Sequence, residues 1–133
     1  MVCGAEAAND IASVVGTKPI EPLTPTWVDH LYSCRYIYLN GTMVLSVKEL
    51  ANATQTGAYF NALHRQLGQR QWLKDVAQGA FLTPNGSEVV RKDYKVLLVD
   101  TSGLPAHIGH PPATRSNIAV GVGLTVLGCW TGA

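Results

Sequence analysis

Two histidines three residues apart, His107 and His110, lie in a loop rich in glycine and proline, a few residues beyond Asp100 and Ser102. Neutral imidazoles are common metal ligands, and Asp100 would add a carboxylate oxygen. The same three side chains, Asp100, His107 and His110, would serve a small hydrolase or a metal-dependent enzyme. A loop does not hold two histidines on one face as a helical turn does, so the plain alternative is a pair of exposed imidazoles. Ser102 precedes Gly103, but no Gly-x-Ser-x-Gly elbow surrounds it. Ser46, Ser87 and Ser116 have no base that the sequence places beside them. The acidic residues are scattered. Glu88 and Asp93 read as turn or strand-edge positions, and Glu49 and Asp75 read as solvated rather than as the facing pair a glycosidase needs. Gly121-Val122-Gly123 lacks the lysine or third glycine of a phosphate-cradling loop. We assign no catalytic residue, no metal and no cofactor.

Binding is the better reading. Tyr36 and Tyr38 fall on one face of a predicted strand, with Ile37 on the other. If no helix covers that face, it is a partner surface. Together with the loop from Ser102 to Pro112, it gives the candidate binding residues Tyr36, Tyr38, Ser102, His107 and His110. The other large aromatics, among them Trp27, Trp72 and Trp130, read as core filling.

Composition narrows the class. A chain of 133 residues fits a single domain, residues 1–133. Only 14% of residues are charged and the formal charge is +1, so no basic stripe marks a nucleic-acid footprint. Arg91-Lys92 and Lys95 read as a solvated turn. The longest uncharged apolar stretch, Ile118 to Trp130, is too short to span a bilayer and reads as core. Asn40, Asn52 and Asn85 begin glycosylation sequons, but turn chemistry already explains two of them.

The elements that must position these residues follow from periodicity. Ala5, Ala8, Ile11, Ala12 and Val15 recur at helical spacing, and Gly16 stops the helix predicted over residues 3–15. Pro19, Pro22 and Pro25 then imply a stiff connector, anchored by a buried Trp27. Segments 34–39 and 42–47 flank Asn40-Gly41, which predicts a hairpin with those two residues at its turn. Thr54 or Thr56 caps a helix running to about Leu67, with Tyr59, Phe60, Leu63 and Leu67 on one face. Segments 80–82 and 89–91 flank Pro84-Asn85-Gly86-Ser87, and Val96 to Val99 adds a third strand to this antiparallel meander. Residues 101–113 read as loop. The last segment carries both helical and alternating patterns, and its length favours helix. The result is an α+β domain, with an antiparallel sheet of about five strands carrying helices on its faces.

Cys3, Cys34 and Cys129 stand at element boundaries, where they are well placed to be tied together. In a short chain this implies an oxidising compartment. Three cysteines cannot all pair internally, so one is free, links two chains or has another role. No Cys-x-x-Cys suggests zinc. A lipidated bacterial cysteine would stand where Cys3 does, but only Met1-Val2 precede it, and it reads as structural. The first residues also lack the charged segment and apolar run of a secretory signal, so an extracytoplasmic location requires that a signal was removed ahead of Met1.

The layout resembles a group of small secreted proteins and lipoproteins of the actinobacterial cell envelope, many of them domains of unknown function. The likeness rests on Cys3 before a helix ending at Gly16, the strand entry Cys34-Arg35-Tyr36, the Tyr59 helix ending in Leu67-Gly68, and the hairpin from Ala80-Phe81 to Val90-Arg91-Lys92 leading into Val96-Leu97-Leu98-Val99-Asp100. It covers nearly the whole chain, and its motifs are structural. The resemblance implies a disulfide between Cys3 and Cys34, with Cys34–Cys129 as the rival pairing. The expected function is a non-enzymatic secreted or envelope binding domain, for a small apolar ligand or an envelope protein. A homodimer through the glycine-rich last helix is a further expectation.

Overall fold

The computed structural model describes the backbone of residues 5–21 and 23–131, and the side chains of residues 8–21 and 23–128. The elements are α1 (Ala5–Val15), β1 (Thr24–Val28), β2 (Leu31–Tyr38), β3 (Gly41–Glu49), α2 (Ala53–Leu67), β4 (Gln71–Trp72), β5 (Ala80–Leu82), β6 (Glu88–Lys92), β7 (Lys95–Asp100), β8 (His107–Ile108), β9 (Ala113–Thr114) and α3 (Arg115–Thr131). The protein is α+β. Seven strands form one antiparallel sheet in the order β1-β2-β3-β7-β6-β5-β4, and β8 and β9 make a small hairpin of their own. From β3 in the middle of the sheet, α2 carries the chain to β4 at the far edge. A meander then returns it strand by strand until β7 pairs with β3.

Alternation sorts the strand residues between two layers. On one face, Cys34, Tyr36 and Tyr38 of β2 share a core with Met43, Leu45, Leu97 and Val99, closed by Ile11 and Val15 of α1 and by Ile118, Ala119, Val122 and Val126 of α3. On the other, Phe81, Val89 and Val96 pack against Phe60 of α2, with Tyr59, Leu63 and Leu67 at the margin. The Tyr36/Tyr38 face is therefore covered by helices and is not a partner surface; Tyr36 is fully buried.

Local chemistry explains each helix. The N-cap of α2 is Asn52, whose side chain accepts from the Gln55 amide at 2.9 Å while Gln55 accepts from the Ala51 amide at 3.1 Å. The threonines expected to cap it lie inside the helix, and the Thr56 hydroxyl donates to the Asn52 carbonyl at 2.7 Å. The last segment is helical. Its glycines admit neighbours: a Cβ at Gly121 would come within 2.6 Å of a Val14 methyl carbon. Close packing against α1 thus outweighs the strand preference of its valines.

Three expectations need correction. The α+β class and the antiparallel sheet stand, but the sheet has seven strands rather than about five, with β1 and β4 added at its two edges. Pro25 sits in β1 because this is an edge strand, where a missing amide costs no ladder bond on the open side. Trp27 is 53% exposed rather than buried. The β2–β3 hairpin pairs Tyr38 with Gly41, so Leu39-Asn40 forms the turn. Gly41 is needed for another reason, since its Cβ would lie 2.6 Å from the Gly103 carbonyl oxygen.

Candidate functional site

One end of the sheet holds a cavity of ≈ 340 Å³. Three separate segments wall it: Thr17 just beyond α1, Tyr38 to Asn40 at the β2–β3 turn, and His107 to Pro112 of the β8–β9 hairpin. Of the five binding residues expected from sequence, Tyr38, His107 and His110 converge here. Leu39, Ile108 and Pro112 supply apolar wall; Thr17, Asn40 and the two imidazoles supply hydrogen-bonding groups.

The histidines ride on a loop that is fastened down. The His110 amide donates to the Gly16 carbonyl at 3.2 Å. Gly16 has φ 81°, a left-handed conformation that glycine adopts freely. A Cβ at Gly109 would collide with the Val15 carbonyl oxygen, so this backbone contact tolerates only glycine. Further back, the Thr42 amide donates to the Gly103 carbonyl at 3.0 Å, and Arg115 Nε donates to the Leu104 carbonyl at 2.7 Å. Leu104 and Ile108 are buried in the core as apolar anchors. The residues read as loop in the sequence thus form an ordered strap.

Tyr38 joins cavity to core. Its hydroxyl is buried and has no hydrogen-bond partner among the described residues. Burial, with a smaller contribution from Tyr36, raises its pKa above the ordinary phenol value, so the group stays protonated. Tyr36 lies deeper, and burial with a lesser effect of Tyr32 pushes its phenol up to about 12. It touches the core, not the cavity.

Ser102 and Asp100 are brought together elsewhere. Asp100 Oδ1 accepts from the Ser102 hydroxyl at 2.6 Å, from the Ser102 amide at 3.0 Å and from the Ser87 hydroxyl at 3.3 Å. This is a side-chain-to-backbone turn lock. Neither residue lines the cavity. The expected grouping of Asp100 with His107 and His110 does not form, and among the described residues no set of three or more His, Cys, Asp or Glu is placed to hold a metal ion.

Sequence reasoning missed Thr17 and Asn40 as cavity residues, and it misread Glu88. Far from a strand edge open to solvent, Glu88 is 2% exposed, on the same sheet face as the buried Val90. Burial pushes its carboxyl up to about 8. Its place two residues before Val90 in a β pattern was the one available signal. Cys34 is fully buried in β2; Cys3 and the Cys129 side chain lie outside the described residues, as does the choice between the two expected pairings. No family model, curated protein or solved structure matches the chain.

Proposed function

We propose that this protein is a non-enzymatic binding domain of the cell envelope or secreted space, and that it takes a small ligand in the cavity between α1, the β2–β3 turn and the β8–β9 hairpin. The observation that carries this reading is the convergence of Tyr38, His107 and His110, from distant parts of the chain, on one cavity. Its volume falls at the small end of the range for ligand sites, about 300–1,000 Å³. The apolar wall of Leu39, Ile108 and Pro112 suits a short hydrocarbon or aromatic body, and Asn40, Thr17 and the imidazoles suit one polar head. Fastened walls lower the ordering cost of binding. The Ser102 hydroxyl, the nearest candidate nucleophile in sequence, is committed to Asp100.

An oxidising location belongs to the same proposal. Its support is the three cysteines of a short chain, of which Cys34 is fully buried in β2. Alkylation of the natively purified protein, followed by mass measurement, tests it. One reactive thiol is expected, and three would overturn the assignment.

The ligand reading is tested by thermal denaturation with indole, hexanoate and benzamide as probes. A probe in hundredfold excess over its Kd stabilises by about 2.7 kcal/mol. At least one should raise the melting temperature of the natural protein and fail to raise that of a His107→Ala/His110→Ala variant. Equal stabilisation of both proteins, or of neither by any probe, would contradict the cavity as the binding site.

A further inference from the structure

We infer that Glu88 is a proton-operated latch for α3: the helix seats on the sheet while the carboxyl is neutral and loosens when it ionises. The geometry is specific. Glu88 pairs across the ladder with Val99 and faces the same core layer. Its Oε1 is buried and has no hydrogen-bond partner among the described residues. A Cβ at Gly123 would collide with that oxygen, so the α3 backbone closes directly over the carboxyl. A neutral carboxyl fits beneath a helix at modest cost; an ionised one without a counter-charge costs several times more.

Among the described residues, no cation on the surrounding elements answers that charge. The only charged residue of α3 is Arg115, two turns from Gly123; its Cβ packs at Gly86 and its Nε is given to the Leu104 carbonyl. Arg70, just before β4, reaches the start of α3, where it donates to the Ser116 hydroxyl at 3.2 Å rather than to the carboxyl. The short strand β5 has none. In β7 the charged residues are Lys95, at the far end and opposite Lys92, and Asp100, a like charge tied to Ser87 and Ser102. Within β6, Arg91 alternates to the other face, where it donates to the Ala53 carbonyl of α2, and Lys92 is four residues along, about 13 Å away. On α1, which packs against α3, Asp10 is the charged residue whose side chain is described, and it is exposed. The same core layer holds the protonated phenols of Tyr36 and Tyr38. Burial alone, with no neighbouring charge, pushes the Glu88 carboxyl up to about 8, consistent with this inventory.

Amide hydrogen exchange, corrected for intrinsic rates, tests the latch in the full chain at pH values from about 5 to about 9. Protection of the α3 amides over residues 118–126 should fall by up to roughly tenfold per pH unit until about pH 8 and then level off. The α2 amides over residues 56–64, on the opposite face, are the internal control and should change less. The Glu88→Gln variant should hold α3 protection constant across the range. Protection of α3 that tracks α2 in the natural protein would overturn the proposal without any variant. So would a Glu88→Gln protein that loses α3 protection with the same pH dependence.

Discussion

On the α2 side of the sheet, Phe60 meets Phe81 edge-on at 5.4 Å, Phe81 meets Trp72 at 5.4 Å, and the His64 ring stacks on Trp72 at 5.0 Å. The buried cluster is aromatic and aliphatic; at its margin the half-buried Arg91 donates to the Ala53 carbonyl at 3.3 Å, while its Nε is buried with no partner among the described residues. On the α1/α3 side, the core is larger but includes a carboxyl and a phenol with atoms that no described residue satisfies, and its margin opens into the cavity. Buried polar atoms without partners cost stability, and proteins retain few of them. The contrast is between a face closed by aromatic packing, with its one unsatisfied described nitrogen at the margin, and a face that holds a carboxyl within its core beside a cavity.

Titration should expose the difference most strongly. Because burial raises the folded-state pKa of Glu88 from about 4.5 to about 8, the folded protein keeps a proton that the unfolded chain has released. Its contribution to stability is fully present below about pH 4.5, declines as pH rises and is lost above about pH 8. The total is up to about 5 kcal/mol. Denaturant unfolding across this range should show that decline in the natural protein and a flatter profile in Glu88→Gln.

On the opposite face, Phe81→Ala should cost about 3–5 kcal/mol by denaturant unfolding, because a fully buried ring with three aromatic neighbours leaves a cavity. Ligand affinity at the cavity should be unchanged if the two faces are independent. At the start of α2, Asn52→Ala removes the cap that accepts from Gln55 and should cost about 1 kcal/mol. Tyr38→Phe should move stability the other way, by up to about 1 kcal/mol, since it deletes a buried hydroxyl with no partner among the described residues. A loss of stability there would mean that the hydroxyl is satisfied by water.

How much of this was legible follows from the range of each interaction. The helices and the β5–β7 meander are written in local periodicity and turn residues, and they form where the pattern places them. The exact β2–β3 turn is not local: Gly41 reads as a turn glycine, yet its space is needed by the Gly103 carbonyl. At the β1–β2 corner, Asp29 and His30 take φ 51° and 59° although neither is glycine, so the turn gave no compositional warning and β1 was hidden among prolines. Cavity residues were legible one by one, Tyr38, His107 and His110 among them. Their meeting depends on Gly16 and Gly109 bringing the end of α1 against the β8–β9 hairpin, a contact between segments far apart in the chain. Glu88 was hidden for a like reason, because its burial depends on a glycine in α3.

The most direct test of the account follows the four histidine ring signals by NMR while indole or hexanoate is added. His107 and His110 line the cavity, whereas His30 sits beside Trp27 near the sheet edge and His64 stacks on Trp72. The account predicts saturable shifts at His107 and His110 with His30 and His64 unmoved. Shifts of equal size at all four rings, or none at His107 and His110 with either probe, would contradict it.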